Sequence, residues 1–530
     1  MMELFCQNIT RLEALSFKKN LKPNLTIYVF RNHSFEMVGN VLNAFLNFSD
    51  IQSDIEYGSY DDSLTFSAIN ENTDLFVLWL DLTRYNNAIS INEFLKERLT
   101  QLRAKTNKPI LLAYLGGEIE EETMRLSDVY FVNVDRVIGV LENKAFDEAK
   151  ESVLGTRLSA KASVLVAQYL GLRLIPSVVK PVLKAVVVDL DNTLYQGILG
   201  EDGVVNLTPN NKLQSRLLEL KKQGFLLCIA SKNDEDEVVE MFKARSDFVL
   251  KLEDFTLRKI NWNAKSNNIL QMAQELNINT DSMLFIDDNI AEIESVRAAI
   301  PNIKTIIAKD EKFVLNALSL YPGLIKKSVT KEDLVRSADL QANQERAEML
   351  KTLTPQEYFE KLGMKVKVVL NDAENVARIV ELLNKTNQFI LTFRRYNQTQ
   401  VENLLNSPNA CILTASMSDK LSDSGIIAIL IATKQNETLV VDELTFSCRA
   451  LGRNIEDIVI TKMMLMAAHF LQTKNTAKIY YKKGPRNTPA LTWLTNFAKQ
   501  EIKCESGACG IVIPQNSKTY GLDIEEFVNV

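Results

Sequence analysis

A run of branched apolar residues ends abruptly in two aspartates in KAVVVDLDNTLYQG, which covers Lys184 to Gly197. The run has the composition of a strand that is buried on both faces of a parallel sheet. In open α/β sheets, the residues that follow such a strand lie at its carboxyl end, where ligands bind. Asp189 and Asp191 repel each other in that position, so a cation or a shared proton has to stabilise them. The stretch therefore predicts a parallel α/β sheet with a polar site at one edge.

Three later segments supply polar groups in matching positions. GFLLCIA predicts a second strand, a helix is predicted to begin in NWNAKSNNILQMAQEL, and MLFID predicts a further strand. Their ends provide a hydroxyl with polar neighbours, an ammonium and a second acidic pair: Ser231, Lys232 and Asn233, then Lys265, then Asp287 and Asp288. A hydroxyl and free amides at a strand end suit a phosphate oxygen. Asn289 and Glu292 have capping-box spacing for the next helix.

The order DxDxT, strand-end serine, lysine and DD resembles the haloacid dehalogenase (HAD) superfamily, over residues 176–325. The resemblance implies that Asp189 attacks phosphorus to form an aspartyl-phosphate and that Asp191 acts as general acid and base. It implies that the phosphoryl oxygens are bound by Ser231, Lys232, Asn233 and Lys265.

The same resemblance implies a Mg²⁺ site. Its metal residues would be Asp189, Asp287 and the backbone carbonyl of Asp191, together with Asp288. The role of Asp288 would be to orient Lys265 or a metal-bound water. The chemistry is consistent, because a carboxylate attacks an anion poorly until a hard cation and an ammonium cancel the charge.

HAD enzymes also carry cap domains, and neither insertion point is long enough for one here. The gap between Asp191 and Ser231 holds only YQGILGEDGVV as an extra piece, and the gap from Ser231 to Lys265 barely holds a helix and a strand. We expect a capless site, which suits a macromolecular substrate or a lid supplied by a neighbouring domain.

Residues 1–175 alternate strand-like and helix-like runs, such as LTIYVF, FEMVGNVLNAFLNF and DLFVLWLDL. This pattern predicts a flavodoxin-like or SGNH-like α/β domain with parallel strands. An SGNH esterase would need a Gly-Asp-Ser turn and a downstream DxxH, and neither is present. His33 beside Ser34 is interpreted as structural rather than as a catalytic dyad. We expect a non-catalytic docking or scaffold domain.

Residues 326–530 begin with a polar helical linker and continue as an α+β pattern. ACILTASMSDK, SGIIAILIAT and TLVVDELTFS predict an antiparallel meander, followed by a long helix in IEDIVITKMMLMAAHFL. The strand-to-helix junction resembles the pyrophosphate loop of GNAT acyltransferases, whose helix amides bind pantetheine or CoA phosphates. The matching residues are Arg449, Gly452, Arg453 and Asn454. Asn454 stands where the GNAT pattern has a small residue.

DLDNTLYQGILGEDG, SKND, FIDDN, NKTNQF and SCRALGR together resemble the FkbH-like family, in which a HAD domain is fused to a GNAT-like domain. Members take a glyceryl group from 1,3-bisphosphoglycerate, remove phosphate and load the acyl group onto the phosphopantetheine arm of an acyl carrier protein. The resemblance therefore implies a phosphorylated three-carbon substrate and an acyl carrier protein as partner.

This chain departs from the FkbH-like pattern at Tyr195, Gln196, Ala230 and Ile390. Ala230 stands where the family commonly has a cysteine, so an acyl-enzyme thioester would need another thiol. Cys448, at the end of the predicted splayed strand, is the candidate catalytic thiol. A small buried strand residue is an equal alternative for it.

Composition limits the remaining options. The chain has 530 residues, enough for about three domains, and a net charge of −6, which disfavours nucleic acid as a partner. No uninterrupted apolar run of about 18 residues or secretory leader is found, so we expect a cytoplasmic protein with no membrane segment. The cysteines lack metal or disulfide spacing, and Cys504 and Cys509 are interpreted as loop residues. His469 is expected to pack in an apolar helix face.

Three functions stay open at this point. The first is an Mg²⁺-dependent enzyme that transfers a glyceryl-type unit to a carrier protein. The second is a HAD phosphatase whose GNAT-like domain only binds, and the third is a scaffold with a vestigial site. The acyl group, the pathway and the oligomeric state are not encoded in any recognisable motif.

Overall fold

In the described part of the chain, three large β-sheets follow one another, two of them fully parallel and the third mixed, and a two-stranded ribbon accompanies the second. The computed structural model describes residues 2–60, 66, 69–70, 72–85, 90–124, 126–325, 342, 346, 349–350, 352–447, 450–484, 486–502, 504–515 and 522–528. A mixed α/β chain with parallel sheets is thus confirmed, whereas the domain boundaries at residues 175 and 325 stay predictions.

The first sheet has five parallel strands in the order β2-β1-β3-β4-β5. Its strands are β1 Leu25–Arg31, β2 Ser53–Tyr60, β3 Leu75–Asp81, β4 Ile110–Leu115 and β5 Val129–Asn133. This is the flavodoxin-like order. The helices of this part are α1 Arg11–Ser16, α2 Glu36–Leu46, α3 Ile91–Lys105, α4 Val134–Ile138, α5 Glu151–Leu154, α6 Ala160–Gln168 and α7 Ile175–Val179. Strands β3 and β4 are buried throughout, as expected for strands covered by helices on both faces.

The second sheet is also parallel, in the order β10-β9-β6-β11-β12. The strands of this part are β6 Ala185–Val188, β7 Tyr195–Gln196, β8 Thr208–Pro209, β9 Leu226–Ser231, β10 Leu257–Ile260, β11 Met283–Asp287 and β12 Lys304–Ile307, with β7 and β8 forming a separate small ribbon. Its helices are α8 Leu199–Asp202, α9 Asn211–Lys222, α10 Glu235–Ala244, α11 Lys265–Glu275, α12 Ile290–Ala299 and α13 Glu311–Leu320. After β6, the chain adds β9 and β10 on one side of it and then β11 and β12 on the other side. The strand order therefore reverses between β6 and β11.

One hydrophobic core contains residues of both parallel sheets. Phe5, near the start of the chain, stacks on Tyr321 with 5.5 Å between ring centroids. A guanidinium nitrogen of Arg173 donates to the carbonyl oxygen of Ser319 over 2.6 Å. The predicted boundary at residue 175 lies inside a continuous helical segment, Ala160–Val179, in which a π-helical turn joins α6 to α7. The first two segments therefore pack as one unit.

The segment Ala160–Val179 is long and apolar enough to span a membrane by length and composition alone, but 78% of its most apolar window is buried. The sequence search for an uninterrupted apolar run passed over it because Lys161 and Arg173 interrupt the pattern. Its apolar side chains are therefore buried in the core that the two parallel sheets share.

The third sheet is mixed, in the order β18-β17-β16-β15-β14-β13-β19. Its strands are β13 Lys365–Leu370, β14 Ala410–Ser418, β15 Asp423–Gln435, β16 Thr438–Phe446, β17 Thr476–Lys482, β18 Ser506–Val512 and β19 Asp523–Val528. Its helices are α14 Pro355–Leu362, α15 Val376–Lys385, α16 Gln398–Leu405, α17 Glu456–Phe470 and α18 Thr488–Ala498. Strands β14, β15 and β16 form the antiparallel meander that their sequences predict.

Two residue predictions for this part are wrong. His469 is exposed rather than packed, because it lies on the solvent side of the last turn of α17. Cys509 is buried within β18 rather than placed in a loop, because CESGAC leads directly into a strand that pairs with β17. Cys504 is exposed.

Candidate active site

The candidate site forms where three neighbouring strands of the second sheet end. Strand β6 lies between β9 and β11, with Val188 paired to Ile229 on one side and to Ile286 on the other. The residue after β6, Asp189, therefore lies beside the last residues of β9 and β11, which are Ser231 and Asp287. This is the point at which the strand order reverses, the usual ligand crevice of open parallel sheets. The sequence prediction of a polar site at this edge is confirmed by the topology.

Lys265 contacts two of the aspartates from the first turn of α11. Its Nζ donates to Asp287 Oδ2 over 2.7 Å and lies 3.0 Å from Asp189 Oδ1. All three residues are at most 5% exposed. Burial acts to lower the pKa of Lys265, but the charges of Asp189 and Asp287 outweigh it and raise the pKa. The ammonium is therefore held as a cation.

The carboxylates of Asp189, Asp287 and Asp288 form a cluster whose oxygen atoms lie within 4.8 Å of one another. Burial raises the pKa of Asp287 to about 7, and the charge of Asp189 acts in the same direction against Lys265. Burial and the charge of Asp189 also raise the pKa of Asp288. Burial raises the pKa of Asp189 itself, although Lys265 and Ser231 oppose this.

One ammonium cannot balance three carboxylates, so the cluster has room for a further positive charge. Asp189 Oδ1 is buried and, despite its ion pair with Lys265, accepts no well-aligned hydrogen bond. Oxygen donors at this spacing are the ligands that Mg²⁺ prefers. The residues present thus fit a hard divalent cation.

Asp191 is oriented by three donors. Tyr195 Oη donates to its Oδ1 over 2.7 Å, and the amide of Leu199 donates to the same oxygen over 3.1 Å. Asn233 Nδ2 donates to Oδ2 over 3.0 Å. The carboxylate is therefore fixed in one orientation but is not part of the acidic cluster, and its roles in proton transfer and metal binding stay predictions.

The turn after Asp191 depends on two residues in left-handed conformations. Asn192 has φ +51° and Gly197 has φ +107°, and the amide of Gly197 donates to the side chain of Asn192 over 3.1 Å. A Cβ on Gly197 would lie 2.9 Å from a methyl carbon of Leu207. The glycine that follows the acidic motif is therefore required by this turn, which folds Tyr195 back toward Asp191.

The remaining predicted phosphate ligands separate into two groups. Ser231 Oγ accepts a hydrogen bond from Asn233 Nδ2 over 3.1 Å, so both side chains lie beside Asp191 and Asp189. The Lys232 ammonium instead points to Glu292, 2.6 Å away. Glu292 consequently does not complete a capping box, and α12 is capped by Asn289 alone. The phosphate-binding role of Lys232 stays a prediction.

Residues 126–325 are described without a gap, and they add no cap domain. The piece after Asp191 forms only the β7-β8 ribbon and the short helix α8. Between Ser231 and Lys265 the chain forms α10, a 3-10 turn and β10. Within residues 126–325, no cap domain therefore covers the carboxyl edge of the sheet.

Of the predicted pantetheine-binding and thiol residues, Cys448 and Arg449 lie outside the described residues. The amide of Gly452 donates to Glu456 Oε1 over 2.6 Å. Arg453 is buried, with one guanidinium nitrogen 3.1 Å from Ser424 Oγ. Asn454 takes the left-handed conformation, with φ +60°. In this structure the loop amide and Arg453 thus have partners within the chain, and their pantetheine role stays a prediction.

Strands β16 and β17 pair in parallel only over residues 439–441 and 477–479 and then diverge. Residues 389–391 fill the gap. Phe446 donates its amide to Phe389, Leu391 donates to Leu444, and Lys482 donates to Leu391. We call residues 389–391 the gap segment. The strand edge that a pantetheine arm would meet is therefore bonded to the chain itself.

Sequence patterns did not indicate the importance of two residues, Tyr195 and Glu443. Tyr195 was noted only as a departure from a family pattern, although a phenol four residues after an acidic loop residue can reach it. Glu443 is fully buried in β16 and accepts from the amides of Leu391, Thr392 and Arg394 near 3.0 Å. An acidic residue inside the apolar run TLVVDELTFS was the available signal for it.

His33 and Ser34 do not form a dyad. The His33 ring is buried against Trp79, and its Nδ1 lies 3.0 Å from Thr156 Oγ1. Burial lowers the pKa of His33 to about 3. The Ser34 hydroxyl donates to Glu36 over 2.5 Å. This agrees with the structural interpretation of the pair.

Several solved structures are similar to parts of this chain. The N-terminal part of a Bacteroides fragilis protein, containing a phosphatase domain complexed with Mg, covers 60% of this chain and 100% of its own length at 18% identity and a TM-score of 0.49. A HAD family enzyme from Bacteroides thetaiotaomicron, complexed with magnesium and inorganic phosphate, covers 24% of this chain and 93% of its own length at 13% identity and a TM-score of 0.20.

A GNAT family acetyltransferase from Streptococcus pneumoniae covers 28% of this chain and 99% of its own length at 13% identity and a TM-score of 0.21. No family model and no curated protein matches the chain. At these TM-scores and identities, none of the likenesses decides the activity of this chain.

Proposed function

We propose that this protein is a Mg²⁺-dependent HAD-type phosphatase or phosphotransferase with Asp189 as its nucleophile. The observation that carries the proposal is the ammonium of Lys265, buried between Asp189 and Asp287 at the reversal point of a parallel sheet. A structural ion pair would need no third carboxylate, whereas Asp288 completes an oxygen cluster suited to a divalent cation.

In this mechanism, an oxygen of Asp189 attacks phosphorus and the bond from phosphorus to the leaving oxygen breaks. Asp191 gives a proton to that oxygen. It then takes a proton from the water that hydrolyses the aspartyl-phosphate, which releases inorganic phosphate and restores the Asp189 carboxylate. Ser231 and Lys265 bind phosphoryl oxygens.

Asp189, Asp287 and Asp288, with the backbone carbonyl of Asp191, would hold the Mg²⁺ ion, which offsets the negative charge of the phosphoryl group. Both Bacteroides structures described above are complexes with magnesium. The proposal therefore includes Mg²⁺ as the cofactor.

The test is hydrolysis of p-nitrophenyl phosphate and acetyl phosphate with Mg²⁺ or with EDTA. We expect Mg²⁺-dependent phosphate release that Asp189→Asn abolishes, because an amide cannot attack phosphorus. Asp236→Asn, an exposed residue in the first turn of α10, is the matched control and should keep full activity. Retained activity in Asp189→Asn would exclude the proposed nucleophile.

We further propose an acyl phosphate such as 1,3-bisphosphoglycerate as donor and the phosphopantetheine thiol of an acyl carrier protein as acceptor. The FkbH-like motifs support this, and so does the absence of a cap domain within residues 126–325, which leaves no inserted domain between the site and a carrier arm. In the transfer, the carbonyl carbon forms a bond to the thiol sulfur and phosphate leaves. Intact mass of the carrier protein after incubation with enzyme and donor would show the added acyl group.

A phosphatase whose C-terminal part only binds is the second candidate. It is favoured by the gap segment, which occupies the strand edge between β16 and β17, and by Glu456, which occupies the Gly452 amide. This candidate predicts phosphate release without any acylated carrier. The same mass measurement therefore separates the two functions.

A further inference from the structure

We propose that a cavity at the opposite edge of the second sheet binds an organic anion with an apolar body. The cavity has a volume of about 690 Å³. It lies where the strands begin, since Lys184 immediately precedes β6, Ser282 precedes β11 and Lys304 opens β12. The Asp189 cluster lies where the same strands end, so the two sites are separate.

Size and lining indicate a ligand rather than a few water molecules. Cavities of about 300–1,000 Å³ hold most drug-sized ligands. The walls include the rings of Phe48 and Tyr321 and the side chains of Val182, Leu183 and Ile303. A ligand there would bury an apolar body against these groups.

The acidic groups around the cavity are paired, whereas two of its basic groups are not. Its two carboxylates are neutralised, Asp50 by Lys19 at 2.7 Å and Asp281 by Arg486 at 2.5 Å. Lys180 and Lys304 have no side-chain partner among the described residues. Within the described part of the chain, the cavity is therefore bordered by two exposed ammonium groups without an ion-pair partner, although the whole chain has a net charge of −6.

The walls are also tied together before any ligand binds. The amide of Leu183 donates to the carbonyl of Gly323 over 2.9 Å, and the amide of Lys184 donates to Ser282 over 2.8 Å. Arg297 Nε donates to Thr305 Oγ1 over 2.9 Å. A preformed site loses less entropy on binding than one that has to be ordered.

Residues from all three sheet regions line the cavity, including Asp50 from the first, Leu183 from the second and both Lys385 and Asn387 from the third. A bound anion would therefore contact the C-terminal third of the chain together with the parallel sheets. This site goes beyond the proposed phosphatase function and does not depend on it.

The test uses 1-anilinonaphthalene-8-sulfonate, an anion with an aromatic body, in a fluorescence titration of the folded full chain. We expect saturable binding at one site, weakened at least tenfold by the double variant Lys180→Glu/Lys304→Glu. The control variant Lys161→Glu/Lys243→Glu makes the same change in net charge on exposed helical positions and should bind like wild type. Unchanged melting temperatures would show that all variants fold.

Competition identifies which part of the ligand is recognised. We expect octyl phosphate and octanoate to displace the dye and inorganic phosphate to leave it bound. Absence of saturable binding, equal affinity in Lys180→Glu/Lys304→Glu, or equal displacement by inorganic phosphate would overturn the proposal.

Discussion

Tyr195 Oη donates to Asp191 Oδ1 over 2.7 Å, and the tyrosine side chain is fully buried. Burial and the charge of Asp191 raise the pKa of Tyr195, so the phenol keeps its proton and remains a donor. A hydrogen bond to a charged group contributes about 1.5–3 kcal/mol. The side chain of Tyr195 therefore helps to hold Asp191, the proposed acid and base, in one orientation.

For Tyr195→Phe we expect kcat to fall about tenfold with little change in KM, because only the orientation of Asp191 is lost. Steady-state kinetics with acetyl phosphate measures both constants. Tyr480→Phe, on β17 and far from this site along the chain, is the control. A Tyr195→Phe enzyme with wild-type kcat would show that Leu199 and Asn233 suffice to orient Asp191.

The raised pKa of Asp287 makes a prediction about pH and metal. The pKa of this carboxyl group is raised to about 7 in the folded chain, compared with its ordinary value of 3.8 in the unfolded chain. Between these values the folded state binds more protons, so the site's contribution to stability falls as pH rises through that window. Mg²⁺ replaces the proton, and its binding should therefore strengthen with pH.

We expect the rise in melting temperature caused by Mg²⁺ to be small near about pH 5 and large near about pH 8. Differential scanning calorimetry with and without the ion gives this difference. Asp287→Asn should reduce the pH dependence and leave the part that comes from Asp189 and Asp288, whose pKa values are also raised. A Mg²⁺ shift that is equal at both pH values would contradict the assignment of Asp287 as a ligand.

At the scale of elements, sequence patterns predicted best where a strand is apolar throughout. MLFID matches β11 residue for residue, and the acidic loop after AVVV could be placed because a buried strand fixes where its end must lie. Strand β2, SDIEYGSY, was missed because it is an edge strand with mostly polar, partly exposed residues. The Lys232–Glu292 ion pair could not be predicted, because the carboxylate of Glu292 could equally have bonded to the N-terminus of α12.

The gap segment shows a further limit of sequence patterns. Residues 389–391 follow α15 in a stretch with no strand periodicity, yet they bond to both β16 and β17. Their partners are tertiary contacts, such as Glu443, which lies about fifty residues further along the chain and accepts from the amide of Leu391. Local patterns do not contain such long-range partners.

Glu443→Ala should destabilise the third sheet. The change leaves the amide of Thr392 without its acceptor, at a cost of about 1–3 kcal/mol. The hydroxyl of Thr392 and the amide of Arg394 keep only their longer bonds, to the carbonyl of Asp442 at 3.2 Å and to Thr392 Oγ1 at 3.4 Å. Trp493 lies 5.5 Å from Phe389 and reports on this region by fluorescence during urea unfolding.

The milder variant Glu443→Gln keeps one carbonyl acceptor and should lose less stability than Glu443→Ala. Both should leave Mg²⁺-dependent phosphatase activity intact if the second sheet works separately. An unfolding midpoint for Glu443→Ala equal to wild type would show that water replaces the carboxylate.

At the scale of the whole molecule, the C-terminal third contacts both parallel sheets near the starts of their strands. Arg486 pairs with Asp281 just before β11, and Gln398 donates its amide to Asp128 just before β5 over 3.2 Å. Asn397 also donates to the carbonyl of Asn107, before β4. These contacts lie near the strand starts, whereas Asp189 follows the end of β6.

The shared core of the two parallel sheets leads to a prediction about fragments. Cutting at residue 175 separates Phe5 from Tyr321 and Arg173 from Ser319, and divides the continuous helical segment Ala160–Val179. Loss of a buried aromatic partner alone typically costs about 3–5 kcal/mol, a large part of the stability of a domain. We therefore expect fragment 1–325 to fold cooperatively and fragment 176–325 to unfold at a much lower temperature.

Circular dichroism melts of the two fragments and of the full chain measure this difference. Fragment 1–325 should also retain Mg²⁺-dependent phosphatase activity, because Asp189, Lys265 and Asp287 and the strands that position them all lie within it. In the full chain, Phe5→Ala should lower the melting temperature of the same unit, whereas Phe470→Ala, an exposed position at the end of α17, should not. If fragment 176–325 is as stable and as active as fragment 1–325, the second sheet folds independently and the first serves another purpose.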